Sequence, residues 1–342
     1  MDSNVYTASQ LINNPIENVP CIFGNIIPKI GVIALVGGSE SGKSLFLRQL
    51  CMAVVSDKQL LNWDNKCQFN RALFVSTEDG MQATSSYVKK QNGYFNMTTQ
   101  ESDRLRFIFS PQKPLEAIEE ELKKLECDVV VVDSFADILD GGDEKSASYV
   151  RALMDKYNKI SEVYQCLIIF LHHTSKRSEY SAPSKNSVIG SQSFEAKCRL
   201  VLEIREDNVE PNIRHLCIVK GNYQPKEEKM SSYDLKITEN LVFETTGTRT
   251  PLTMLSITKP NQVNKGANTM PDKLHREFLA QLFGSKDAFM SGAELKRSII
   301  VKFGVGDTLS RNYLQYYRSK SFIVVEKETK NCTTYKLNAN YN

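Results

Sequence analysis

Gly37-Gly38-Ser39-Glu40-Ser41-Gly42-Lys43-Ser44 fits the pattern GxxxxGK[ST] at every fixed position. Its surroundings narrow the reading. The apolar run Val32-Ile33-Ala34-Leu35-Val36 precedes it, and Ser44 to Val55 follows with helical periodicity. That strand–loop–helix order is what a phosphate-cradling loop requires. Gly37 and Gly42 allow backbone dihedrals that a side chain would block. The exposed N–H groups can then wrap phosphates, and the helix N-terminus adds its positive end. Lys43 would reach the β- and γ-phosphates from a solvated loop, and the Ser44 hydroxyl would ligate Mg²⁺. The expected nucleotide contacts are therefore Gly37, Gly38, Ser39, Glu40, Ser41, Gly42, Lys43, Ser44 and the adjoining Leu45, with ATP and Mg²⁺ as the ligands.

Outward from the loop, buried strands alternate with helical segments. Ala72 to Val75, Phe107 to Phe109, Val129 to Val132 and Leu167 to Leu171 are apolar on both faces, as strands of a helix-covered parallel sheet must be. Pro114 to Leu125 and Ser146 to Val163 read as helices between them. This predicts an α/β core with a mostly parallel sheet. Leu200 to Ile204, His215 to Val219 and Ser232 to Glu244 predict a strand-rich, antiparallel flank.

The ends of those strands carry the remaining chemistry. Asp133 closes Val129 to Val132, where a carboxylate sits beside the phosphate loop and can hold Mg²⁺ or its water. As an alternative, Asp133 would cap a following helix. Glu78 lies just past Ala72 to Ser76 and can position or deprotonate the attacking water, with the adjacent Asp79 as the alternative. His173, after His172, ends Leu167 to Leu171, where it could touch the γ-phosphate.

The composition is that of a globular protein, with 41% apolar and 24% charged residues. No run approaches the ~18 apolar residues of a membrane span, and Met1 to Gln10 lacks a signal pattern. None of the eight cysteines forms a CxxC pair, which predicts reduced, buried thiols in a cytoplasmic protein. Net charge is only +3, but Pro271 to Asn342 holds twelve Lys/Arg against seven Asp/Glu. A polyanion partner is sought there first.

Residues 259–271 are polar, with one glycine and two prolines, and predict a linker between domains 1–258 and 272–342. Beyond it, Leu274 to Phe283, Ser291 to Lys302 and Thr308 to Lys320 read as helices, and Ser321 to Glu326 with Cys332 to Leu337 as a hairpin. That order resembles a winged helix-turn-helix. In the third helix Arg311, Asn312, Gln315 and Arg318 share one side, opposite Leu309 and Tyr313. Arg, Asn and Gln read base edges and phosphates, so this face is a candidate for duplex DNA. The bland alternatives are a solvated face or a subunit contact.

Together the motifs resemble the RecA superfamily, and most closely its RepA-type branch of hexameric plasmid replicative helicases. The resemblance covers about residues 8 to 245. Residues 21–29, Ser76-Thr77-Glu78-Asp79, Val132-Asp133-Ser134, Leu171-His172-His173-Thr174-Ser175-Lys176 and Ile189-Gly190-Ser191-Gln192-Ser193 carry it. It implies a RecA-like core, a catalytic Glu78, a metal-binding Asp133, a sensor His173 and a homo-oligomer, with the hexameric ring as that branch's arrangement. In a ring, the loop Ser175 to Ile189, with Lys176, Arg177, Tyr180 and Lys185, would face a channel and track single-stranded DNA. The alternative is a plain surface loop. Where members often present a Lys-x-Arg finger pair, this chain reads Lys220-Gly221-Asn222, so Lys220 is kept and the arginine is not. Arg205 and Arg214 are candidate replacements. The expectation is a DNA-acting ATPase of a plasmid or mobile element, or alternatively a slow, ATP-switched DNA-binding regulator or assembly factor.

Overall fold

The structure, a computed structural model, describes residues 5–338 apart from 17, 140–145, 176–177, 179–180, 189–191, 208, 257–265, 286–287, 304, 306 and 330–331. The candidate DNA-loop residues Lys176, Arg177 and Tyr180 lie outside the described residues, as does the turn Ile189 to Ser191. The chain divides into two compact units, Met1–Ile257 and Thr258–Asn342. Among the described residues no helix is long and apolar enough to cross a membrane.

The first unit opens with α1 (Ala8–Ile12) and a short antiparallel pair, β1 (Cys21–Phe23) and β2 (Ile27–Pro28). There follow β3 (Gly31–Gly37), α2 (Lys43–Val55), β4 (Ala72–Ser76), α3 (Met81–Phe95), α4 (Thr99–Ser102), β5 (Leu105–Phe109), α5 (Pro114–Lys124), β6 (Val129–Asp133), α6 (Ala147–Tyr164), β7 (Leu167–His173) and α7 (Gln192–Lys197). The strands β8 (Leu200–Glu206), β9 (Ile213–Gly221), β10 (Tyr233–Ile237) and β11 (Phe243–Thr245) complete it. One nine-stranded sheet results, in the order β11-β10-β9-β8-β3-β7-β6-β4-β5. From β8 to β5 every pairing is parallel, and β9, β10 and β11 add antiparallel strands at the β8 edge.

The period-2 alternation of strand side chains splits the core into two layers. Ile33, Leu35, Phe74, Val131 and Ile169 face α2 and α3. Val32, Ala34, Leu73, Val132 and Phe170 face α5, α6 and the Phe194 of α7. The apolar runs are double-sided because both sheet faces are covered. Helix α3 escapes the sequence reading because it buries only Thr84, Gln91 and Phe95 and so shows no apolar stripe.

The second unit contains α8 (Asp272–Phe283), β12 (Phe289–Ser291), α9 (Gly292–Phe303), α10 (Asp307–Ser319), β13 (Ile323–Thr329) and β14 (Cys332–Leu337). The expected hairpin forms, and the unexpected β12 pairs with β14, giving the sheet order β12-β14-β13. Ser291 and Glu294 make the capping box of α9. Of the expected linker, residues 259–265 lie outside the described residues, and the remainder is structured. Ala267–Thr269 forms a turn whose Ala267 is buried, and its carbonyl accepts from His275 Nε2 at 2.9 Å. The buried side of α10 is Ser310, Tyr313, Leu314 and Tyr317. Leu309, expected among them, is 39% exposed.

The phosphate loop springs from β3 under a tight roof. A Cβ on Gly37 would lie 2.4 Å from the backbone carbonyl oxygen of Ile204 on β8, an atom with no freedom to move aside. Gly37→Ala should therefore destabilise the first unit by about 1–3 kcal/mol. Urea unfolding that gives the wild-type midpoint would show the roof to be looser than this.

Candidate nucleotide-binding site

Residues 37–44 join β3 to α2 as the sequence reading requires. Gly42 adopts φ +94°, open to glycine, and Glu40 takes a left-handed φ of +62°. No side chain caps α2, so the N–H groups of its first turn are left to a ligand. Ser39 and Glu40 are exposed, and the Ser41 hydroxyl donates to the Gly38 carbonyl at 2.9 Å. Leu45 is partly buried and leans on the apolar core.

Lys43 was expected in a solvated loop, but it opens α2 and is 5% exposed. Its ammonium donates to the Gly38 carbonyl at 2.6 Å. Burial lowers its pKa, against the attraction of Asp133 and Glu78. The loop folds over the side chain and removes it from water.

Sheet register brings the other candidates to this edge. Gly37 pairs with His173, and Ser76 with Asp133. Asp133 is 3% exposed, and its Oδ1 has no hydrogen-bond partner. Burial pushes its carboxyl up to about 6, while a hydrogen bond from the Ser44 hydroxyl and the Arg48 charge pull it down. A turn at Ala136–Ile138, not an α-helix, follows it. Glu78 is exposed and stands 3.8 Å from His173 Nε2. Asp79 instead faces Arg48 Nη1 at 3.5 Å. Burial, helped by Lys43, lowers the His173 pKa. His172 is buried among Phe135 and Phe194. The edge thus joins Lys43, Ser44, Glu78, Asp133 and His173.

The finger candidates go elsewhere. Lys220 lies on β9 opposite Val201, which pairs with Ala34 midway down β3. Its ammonium donates to the Glu195 carbonyl at 2.6 Å and pairs with the Glu195 carboxylate at 3.1 Å. Arg205 pairs with the buried Glu203 and donates to the carbonyls of Ser178, Ser181 and Leu255. Arg214 supports the phosphate loop from behind, with Nε on the Ser41 carbonyl at 3.0 Å and Nη2 on Glu206 at 2.8 Å. Neither arginine is presented as a finger. Arg48 was not foreseen, although a lone arginine inside Phe46-Leu47-Arg48-Gln49-Leu50 breaks an apolar helix and was a readable signal. Of the DNA candidates, Lys185 is exposed on a short turn, and Arg311, Asn312, Gln315 and Arg318 are all exposed on α10. Arg311 pairs with Asp307 at 2.6 Å.

The residues fit a Mg²⁺-nucleotide on two counts. A buried carboxylate oxygen lacks a donor, and a serine hydroxyl stands beside it. The same burial has a stability consequence. The Asp133 carboxyl is raised in the folded state from its ordinary ~3.9 to about 6. Stability is therefore lost as pH rises through that interval and stays lost above it. Asn cannot ionise. Asp133→Asn should stabilise the nucleotide-free protein at pH 7.5 by about 2 kcal/mol, roughly 4–8 °C in Tm. The advantage should narrow near pH 5. Calorimetry showing the variant less stable at both pH values would overturn the account.

A family model described as an AAA domain matches residues 4–179. No curated protein matches the chain. The matched stretch is just over half the chain and takes in the phosphate loop, both acidic strand ends and the histidine pair. The chain belongs to the AAA domain family of P-loop NTPases, a fold that implies nucleotide binding, generally with Mg²⁺.

Proposed function

We propose that the chain is a Mg²⁺-dependent ATPase that acts on DNA, with a RecA-like core of the RepA type and a C-terminal winged helix. The observation that carries the ATPase reading is the meeting of Lys43, Ser44, Asp133, Glu78 and His173 at one sheet edge. In this reading the loop N–H groups and Lys43 bind the phosphates, and Ser44 with Asp133 would hold Mg²⁺. The metal, when bound, neutralises charge on the phosphate oxygens. Glu78 orients and deprotonates water, since Asp79 is occupied by Arg48. His173, 3.8 Å from Glu78, links the γ-phosphate position to the loop beginning at Ser175.

DNA binding rests on two supports. The second unit runs helix, strand, helix, helix, strand, strand, the order of a winged helix, and its α10 exposes Arg311, Asn312, Gln315 and Arg318. In the core, Lys185 lies in the loop that a ring would turn towards single-stranded DNA. The resemblance to plasmid helicases suggests replication or mobilisation of a mobile element, by a homo-oligomer.

One observation favours a second reading, an ATP-switched DNA-binding regulator. Asn222 stands at the finger position, and Lys220, Arg205 and Arg214 are tied to their own subunit. An arginine finger is worth about 10³ to 10⁵ in rate. Slow turnover that single-stranded DNA leaves unchanged would select this reading over a motor.

Glu78→Gln should bind ATP yet hydrolyse it at least about a hundredfold more slowly. A variant that keeps wild-type turnover would remove Glu78 from the base role. For the second unit, replacing Arg311 and Arg318 together by Ala should weaken duplex binding. It should also flatten the slope of log affinity against log salt by up to about two units. Titrations at several salt concentrations that give an unchanged affinity and slope would exclude α10 as the DNA-reading helix.

A further inference from the structure

Arg48 follows Ser44 by four residues, so it lies one turn further along the helix that begins at the phosphate loop. It is 2% exposed. Its guanidinium lies 4.8 Å from the centre of the Tyr87 ring on α3. Nη1 meets Asp79 at 3.5 Å, and neither Nη1 nor Nε makes a hydrogen bond. Burying an arginine this incompletely paired is unfavourable, and burial works against its charge while Asp133 and Asp79 favour it. A long aliphatic side chain would fill the same space without that penalty.

The loop that Arg48 touches is the one that carries Glu78. Thr77 is fixed on one side, its N–H and hydroxyl both donating to the Asp133 carbonyl at 2.7 Å. On the other side the Ser76 hydroxyl donates to the Asp79 carbonyl at 2.8 Å. Those bonds hold the backbone, and the Asp79 side chain is drawn back to Arg48. Glu78, between the two anchored residues, is left facing His173. Tyr87, over the same guanidinium, belongs to the helix that begins at Met81, directly after this loop.

We propose that Arg48 is a positioning residue for hydrolysis. Through Asp79 it ties the helix that binds the phosphates to the loop that presents Glu78, and so fixes where the base stands relative to the γ-phosphate. The proposal rests on the reading of Glu78 as the base. It also gives the neighbouring carboxylates different tasks, Glu78 towards water and Asp79 towards Arg48. Displacing a reacting group by about 1 Å can lower a rate up to 10²-fold, whereas the phosphate contacts of residues 37–44 would be untouched.

The test measures steady-state ATPase kinetics, and equilibrium binding of the fluorescent nucleotide mant-ATP with Mg²⁺, for the wild type, Arg48→Met, Asp79→Asn and the double variant. Methionine keeps an unbranched apolar stem against Tyr87. Each single variant should lose about tenfold in kcat, with nucleotide affinity within about twofold of wild type. The double variant should fall no further than the poorer single one, because both break one connection. Wild-type kcat in either single variant, losses that multiply in the double, or binding that falls in step with kcat would each overturn the proposal. Asp79 is partly exposed and its Asn variant is isosteric, so if Arg48→Met does not fold, Asp79→Asn alone decides by its kcat and affinity. Glu78→Gln separates the two levels. Normal turnover there removes the base reading itself. A dead Glu78→Gln beside unaffected Arg48→Met and Asp79→Asn removes only the positioning role.

Discussion

Along β3 and β7, Val36 pairs with His172 and Gly37 with His173. Along β4 and β6, Val75 pairs with Val132 and Ser76 with Asp133. Parallel strands place all their carboxyl ends on one edge, where ligands of open α/β sheets bind. The register adds that these four strands end nearly level, although they come from widely separated parts of the chain. A slip of one residue in β6 would turn Val130 and Val132 away from their layer and Val131 out of the opposite one. The two-sided apolar packing that stabilises the sheet is thus also what fixes Asp133 beside Ser44 and the Glu78 loop beside Asp133. Stability and site geometry are set by one constraint.

The charges at that edge show what the arrangement awaits. Lys43 and Asp133 are both nearly excluded from water, and burial pushes each towards its neutral form. The nearby carboxylates Asp133 and Glu78 only partly offset this for Lys43, as do the Ser44 hydroxyl and the Arg48 charge for Asp133. A triphosphate carrying a divalent cation would reverse both tendencies, presenting anionic oxygens to the lysine and a cation to the carboxylate. The Gly38 carbonyl now accepts from the Lys43 ammonium, a place a phosphate oxygen could take. The loop keeps its shape through contacts with its own backbone, chiefly the Ile204 carbonyl against Gly37 and the Arg214 guanidinium on the Ser41 carbonyl.

What the sequence revealed follows from how local each signal is. GxxxxGK[ST] and the double-sided strand runs are contiguous, so the loop, the parallel sheet and the strand-end positions of Asp133, Glu78 and His173 could be read directly. The different surroundings of Glu78 and Asp79, on which the proposed choice of base rests, could not. They differ through Arg48, which is thirty residues upstream of Glu78 in sequence and meets Asp79 only through packing. Burial of Lys43 was missed because a motif fixes backbone shape but not what covers it. The strand β12 was missed for a similar reason, since Phe289–Ser291 has three residues and gains its identity only by pairing with β14. The linker was overdrawn because polar composition marked Ala267 as free, whereas His275 binds its carbonyl.

The positions of the basic residues bear on how the proposed reaction would be driven. Lys220 closes on α7, Arg205 holds Glu203 and the carbonyls around it, and Arg214 braces the loop. Each is engaged within its own chain, and Arg214 meets the phosphate loop only through the Ser41 carbonyl. Of the cations placed at that edge, Lys43 contacts phosphate in the proposed reading and Arg48 faces carboxylates. Charge that develops on the γ-phosphate oxygens would then be met by Lys43, by the loop N–H groups and by the metal that Ser44 and Asp133 would hold. In the proposed reading that set serves binding, because binding uses charge already present in the ground state. It offers less that is specific to the transition state, and only such interactions raise kcat. In the proposed reading a cation brought by a second molecule would add the missing stabilisation. Coupling hydrolysis to an encounter in this way is how a site with a complete binding half and an incomplete catalytic half would act as a switch.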